Sequence, residues 1–183
     1  MKRLFFLSLV VLSTSIFAYG QTDEVKVERS LLSVYFIPLK MSYEQGIGKS
    51  NTLEFGGGIN GVTWMDEQNQ FRFGIAPFAE AYFKNYYNFE KRHSKGKRTA
   101  MNSGNYWGIF ARYRFNPIAG DTDDERFQSA FIAPVWGFQR NYNSNFSLGM
   151  DFGFGVGFND YGSYFSPVIR LKLGFVLLSH KGK

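Results

Sequence analysis

Residues Phe146 to Asn159 alternate without a break. Phe146, Leu148, Met150, Phe152, Phe154, Val156 and Phe158 fall on one parity, and Ser147, Gly149, Asp151, Gly153, Gly155, Gly157 and Asn159 on the other. An extended chain sends successive side chains to opposite faces, so the segment predicts a strand with one bulky apolar face and one face of glycine and small polar groups. The pattern recurs in Phe71 to Lys84, where Phe73, Ile75, Pro77, Ala79, Ala81 and Phe83 oppose Arg72, Gly74, Glu80, Tyr82 and Lys84. It recurs again in Leu53, Phe55 and Ile59 against Glu54, Gly56, Gly58 and Asn60, and in Phe165 to Leu178, where the polar parity carries Ser166, Arg170, Lys172 and Gly174. Trp107 to Phe115 and Phe127 to Arg140 read alike, the first with Arg112 and Arg114 on its polar parity.

The predicted strands are Leu31 to Ile37, Leu39 to Gly46, Thr52 to Trp64, Phe71 to Lys84, Tyr106 to Phe115, Phe127 to Arg140, Phe146 to Phe158 and Phe165 to Leu178. Reading Leu31 to Gly46 as one strand through Pro38 would give an odd total, whereas single-chain bacterial barrels use even numbers, which favours the eight-strand count. In a soluble sandwich the polar face would carry Lys, Glu and Thr for solvent; a face of glycine with single charges fits a cramped, curved interior. The chain holds 21 Phe, 11 Tyr, 3 Trp and 20 Gly, more rings than a water-shielded core of this size would take. A closed, all-β, antiparallel transmembrane β-barrel accounts for rings and glycines together, because strands in lipid must close on themselves to pair every amide.

Lys2 and Arg3 precede an apolar run that ends in Ala18-Tyr19-Gly20 before Gln21, the form of a cleaved export signal over residues 1–20, with the barrel in 21–183. The competing reading, a retained anchor, suffers from a short apolar core broken by Ser13, Thr14 and Ser15. There is no cysteine, which removes disulfides, thiolate metal sites and a lipidated N-terminus. The formal charge of +6 falls by two with Lys2 and Arg3, too little to argue for nucleic acid. The expected address is the outer membrane of a Gram-negative cell.

With both chain ends in the periplasm, the inner turns are Ile47 to Asn51, Asn85 to Asn105 and Asn141 to Asn145. The outer connectors are Met65 to Gln70, Asn116 to Arg126 and Asn159 to Tyr164. The long inner connector carries a basic knot: Lys91, Arg92, Lys95, Lys97 and Arg98. A seven-strand count would invert its side.

Three strings make a resemblance: Ser42-Tyr43-Glu44, Tyr86-Tyr87-Asn88-Phe89 leading into Arg92, and Lys95-Gly96-Lys97 with Thr99 and Asn102-Ser103-Gly104-Asn105-Tyr106. On these the mature chain resembles small exported outer-membrane β-barrel proteins of Bacteroidetes, a family of unassigned function in which similar strings link two central strands. The resemblance implies a fold and an address rather than an activity, and only the central string is specific.

Lys95-Gly96-Lys97-Arg98-Thr99 lacks the upstream glycine that a nucleotide-binding loop needs, since position 91 is Lys. Two readings of the knot stay open. One is binding to an anionic surface, whether outer-membrane lipid, peptidoglycan or an acidic envelope protein, with about 1 kcal/mol per basic residue near an anionic leaflet. The other is a short amphipathic element that seals the barrel floor. Glu54, Glu80 and Asp151 share the inward parity with Arg72, Arg112, Arg114, Arg170 and Lys172 and are expected to lock the interior through charge-assisted hydrogen bonds; a gated pore is the alternative. Some outer-membrane barrels modify lipids with a His and a Ser, but His93 and His180 fall on the periplasmic side, and neither is placed beside a Ser at a strand end in an obvious triad. The acidic run Asp121, Asp123, Asp124 and Glu125 lacks the spacing of a calcium loop. No catalytic residue, cofactor or metal ligand is assigned. The expected role is structural or interactive, either as a membrane-stabilising protein or as an accessory subunit of an envelope complex that docks on the basic connector, with a small transporter as the alternative and a lipid-modifying enzyme behind it.

Overall fold

The computed structural model describes residues 26–65, 69–120 and 128–181. The expected leader, the acidic run from Asp121 to Glu125 and Phe127 lie outside the described residues. The chain is all-β. Its strands are β1 (Ser30–Ile37), β2 (Leu39–Gly46), β3 (Asn51–Met65), β4 (Phe71–Asn85), β5 (Gly104–Arg114), β6 (Ala119–Gly120), β7 (Ser129–Asn141), β8 (Phe146–Asn159) and β9 (Gly162–His180). A short helix α1 (Phe89–Ser94) and a 3-10 turn (Ala100–Asn102) lie between β4 and β5.

Every long strand pairs antiparallel with its neighbour, and β9 returns to β1. With β3 bonded to both β2 and β4, the ladder β1-β2-β3-β4-β5-β7-β8-β9 closes into a ring of eight strands. The alternative of one long first strand is corrected: Phe36 faces Leu39 across a tight turn at Ile37 and Pro38, making a hairpin. Two further details differ from the expected layout. The outer connector after β7's partner shrinks to Asp160 and Tyr161, because β9 already starts at Gly162. Within the stretch expected to be a plain connector, the two-residue β6 bonds to β4 at Gly74 and Ile75.

The predicted parities hold all around the ring. Phe154, Phe165 and Ile169 are 59%, 71% and 70% exposed on the outside, whereas Lys84 and Asp151 are 0% exposed on the inside. This arrangement is inverted relative to a water-soluble domain, in which rings are buried and charges solvated.

The inward glycines let an adjacent strand's backbone or side chains come close. Gly58 of β3 lies against Lys40 of β2, and a Cβ added there would run into the Leu39 carbonyl and the Lys40 backbone. Gly137 of β7 lies against Asp151 and the Tyr106 ring in the same way. Outward Gly57 has looser surroundings, its nearest neighbour being the Phe78 carbonyl at 3.4 Å. We therefore expect Gly58→Ala to cost about 1–3 kcal/mol of stability through overpacking, while Gly57→Ala stays within about 0.5 kcal/mol. Urea midpoints of the two refolded variants compare the adjacent positions directly.

Candidate functional site

The inner faces of β2, β3 and β4 carry acids and bases in alternation. Lys84 Nζ donates to Glu44 Oε2 at 3.1 Å and also to Glu54. Lys40 Nζ donates to the other Glu54 oxygen at 2.9 Å and also to Glu80. Glu80 in turn accepts from Arg170 Nη2 at 3.0 and 3.2 Å and from Arg112 Nη2 at 2.9 Å. The result is one continuous chain, Glu44-Lys84-Glu54-Lys40-Glu80, ending in two guanidiniums. Register explains it: Glu44 faces Glu54 across β2 and β3, so two carboxylates would repel unless a lysine stood between them.

A side branch stands opposite. Lys172 Nζ donates to Asp151 Oδ1 at 3.0 Å and to the Tyr106 hydroxyl at 2.5 Å, and that hydroxyl donates to Asp151. The Tyr106 ring joins branch and chain, with Lys84 at 5.3 Å and Lys172 at 5.2 Å from its centroid. Such cation–π contacts add roughly 0.5–2 kcal/mol each.

The predicted interior charges therefore separate into groups. Glu54, Glu80, Arg112 and Arg170 belong to the main chain, and Asp151 and Lys172 to the branch. Half-buried Arg72 and Arg114 share the inward parity but sit toward the far end, in register with Trp64 and Phe78. Lys40, Glu44 and Lys84 complete the chain although they were not among the expected site residues.

The near end of the ring is closed by the segment linking β4 to β5. Tyr86 and Phe89 are buried beneath Tyr106, with the Tyr86 and Tyr106 rings 5.3 Å apart, edge to face. Asn102, in left-handed backbone conformation at φ 58°, puts its side chain inside. Its Nδ2 donates to Glu44 Oε1 at 3.0 Å, and its Oδ1 accepts from the Glu28 amide at 2.7 Å. Glu44 Oε1 also accepts from Thr52 Oγ1 at 2.7 Å and Tyr86 OH at 3.0 Å. Burial and then the Glu44 carboxylate raise the Tyr86 phenol well above its ordinary pKa, so it stays a donor at any physiological pH.

The basic knot rides on this floor. Lys91, Lys95, Lys97 and Arg98 are exposed. Arg92 is half-buried and structural: its guanidinium donates to the carbonyls of Ser103 at 3.0 Å and Arg98 at 2.9 Å, folding the segment onto itself. Desolvation lowers its pKa somewhat. Arg98 bonds to Asn143 of the neighbouring turn. Both ends of the described chain reach this same side, since the Arg29 amide donates to the His180 carbonyl at 2.8 Å.

His93 is exposed on α1, and His180 Nδ1 lies 3.4 Å from Ser30 Oγ at the ring's exposed edge, a contact between residues 150 positions apart. Among the described residues no group of His, Asp and Glu side chains is arranged to hold a metal ion. Comparison with protein-family models, with curated proteins and with solved structures finds no match.

Removing one ammonium from the chain strands two buried carboxylates. Lys84→Met should therefore cost about 3–5 kcal/mol, and adding Glu54→Gln to it should recover part of the loss. Tyr86→Phe, which leaves Glu44 its other donors, should cost about 1 kcal/mol. Denaturant midpoints of the refolded chains measure all three.

Proposed function

We propose that this chain is an outer-membrane β-barrel protein with a structural or interactive role, which contacts a partner in the envelope through its basic floor. One observation carries the reading: a closed ring of strands exposes its rings and aliphatic chains outward and buries its charges inward. A water-filled surrounding would penalise that arrangement, and a lipid surrounding rewards it. Seven alternate residues of β8, from Phe146 to Phe158, present apolar side chains outward. At ~3.3 Å per residue and a tilt of ~40°, the segment covers about 30 Å along the axis, comparable with a hydrocarbon layer.

The distribution of aromatic types supports the same reading. Exposed Tyr43, Tyr87, Trp107, Trp136 and Tyr142 gather toward the floor end, with Trp136 Nε1 donating to Tyr87 OH at 2.9 Å. Tyr113 and Tyr161 are exposed toward the other end. Polar-tipped rings favour the two interfaces of a bilayer. The resemblance to small Bacteroidetes barrels and the expected leader agree with this address, which puts the floor on the periplasmic side.

The packing of Lys84, Tyr86, Tyr106 and Asn102 across the interior favours a structural body over the small-transporter alternative. Since Arg92 is consumed in folding the connector, the residues available to an acidic partner, peptidoglycan or lipid phosphate are Lys91, Lys95, Lys97 and Arg98. A lipid-modifying enzyme has less support, because Ser30 and His180 stand at the floor edge rather than in a cleft.

Two measurements test the parts separately. The folded chain should insert into liposomes and migrate with heat-modifiable mobility, and Phe154→Arg on the outer face should destabilise the inserted form by about 2–4 kcal/mol. Replacing Lys91, Lys95, Lys97 and Arg98 by Gln should leave insertion intact and abolish co-purification of an envelope partner or anionic lipid from native membranes; unchanged co-purification would overturn the docking role.

A further inference from the structure

The outer wall changes character at the base of β7. Its outward residues run Ile132, Pro134, Trp136, Phe138 and Arg140, so an apolar column ends in a guanidinium. Trp136 stands in register with Trp107 of β5 and Phe152 of β8, which makes a girdle of rings across this sector. From Trp136 to Arg140 the strand travels about 10 Å along the axis, by ~3.3 Å per residue and ~40° of tilt, enough to leave an apolar layer for a polar one. Arg140 thus stands on the flank of the floor.

Arg140 is half-buried and is held by neutral acceptors alone. Its Nη1 donates to the carbonyls of Gly104 and Gln139, each at 2.7 Å, and its Nη2 to Asn105 Oδ1. Nε has no acceptor among the described residues and, unlike Arg170 Nη1, is not buried. No carboxylate pairs with Arg140 or with Arg92 among the described residues. The strongest charge acting on Arg140 is instead another cation: Arg92 lies on the Ser103 carbonyl while Arg140 lies on that of Gly104, so the two guanidiniums are neighbours and repel each other.

Two phenols complete the patch. Tyr87 and Tyr142 are the other groups whose charge would reach Arg140, and they are 52% and 48% exposed. Tyr87 OH accepts from Trp136 Nε1 and so has its own proton to give. The Tyr142 ring packs on Phe146, and its hydroxyl has no partner among the described residues. Unused N–H and O–H donors around an uncompensated positive charge fit a tetrahedral oxyanion, since charge-assisted bonds to phosphate are the strong ones. Position selects the source: the donors lie on the outside of the wall just past the Trp107 and Trp136 girdle, at the level of a surrounding bilayer's headgroups.

We propose that Arg140, with Arg92 beside it and the hydroxyls of Tyr87 and Tyr142, binds the phosphate of one anionic phospholipid in the leaflet at the floor end. The source of the phosphate rests on the membrane reading above; the donor set does not.

The test uses the chain refolded in a non-ionic maltoside detergent, with heat-modifiable mobility checked for every variant. Dioleoylphosphatidylglycerol, dioleoylphosphatidylcholine or dioleoylglycerol is titrated in, and native mass spectrometry counts the lipids retained. One phosphatidylglycerol per chain is expected, held roughly 5-fold or more tightly than phosphatidylcholine, with no dioleoylglycerol retained. Arg140→Gln should erase the preference. Tyr142→Phe, which touches none of the bonds that fold the floor, should weaken it several-fold, and the variant with Gln at 91, 95, 97 and 98 should keep it. Equal retention of the two phospholipids, a preference unchanged in both Arg140→Gln and Tyr142→Phe, or its loss in the four-residue variant would overturn the site. Displacement of phosphatidylglycerol by equimolar inorganic phosphate would overturn lipid as the source. Liposome insertion tests the membrane reading separately: a chain that inserts but shows no preference refutes only the site, and one that shows the preference in detergent but does not insert refutes only that reading.

Discussion

Lys40 and Lys84 inside this ring are each shared between two carboxylates, and the structure depends on that sharing. Glu54 holds Lys84 on one oxygen and Lys40 on the other. A small closed ring has no room for solvent to screen such groups, so each must be met by an opposite charge or a donor. Gly137 follows from the same need, being small because the Tyr106 ring and Asp151 lie over it, whereas Gly58 lets the backbone of Leu39 and Lys40 come close. The outer face is then free to be apolar, since all polarity has been gathered inside.

The floor obeys the same constraint. Asn102 and Tyr86 are parts of the connector, yet they supply donors to Glu44, the last acid of the interior chain. Closing the ring and terminating the charge chain are thus a single structural event. In the proposed barrel this couples the interior to the surface that would meet a partner, because Arg92 folds the connector that carries Lys91, Lys95, Lys97 and Arg98.

Alternation made most of this fold legible in the sequence. The strongly patterned strands, Phe146 to Phe158 above all, were placed to within a few residues, and the interior charges were assigned to the inward parity on which the structure puts them. Lys40 and Glu44 escaped although the signal was present: Leu39, Met41 and Tyr43 alternate with Lys40, Ser42 and Glu44, but the segment is short and follows a proline. The roles of Asn102, Tyr86 and Glu28 carried no periodic signal, since a connector's contacts depend on turn geometry and on strands far away in sequence. The low wall at the β1–β2 hairpin was equally hidden, because it arises from unequal strand lengths meeting across the ring. The closeness of Ser30 and His180, 150 positions apart, depends on the register of β1 against β9, which alternation does not specify.

The eight residues of β1 and of β2 contrast with fifteen in β3 and nineteen in β9. A bilayer surrounding such a wall would meet an apolar height of about 20 Å at the hairpin, by ~3.3 Å per residue and ~40° of tilt, against about 30 Å elsewhere. Lipids on that flank would have to compress or splay their chains, at a cost of fractions of a kcal/mol for each ångström of mismatch. The protein would therefore carry its own sector of thinned, disturbed membrane, fixed in direction relative to its body, and would settle preferentially beside neighbours or in regions where a thin annulus is already tolerated.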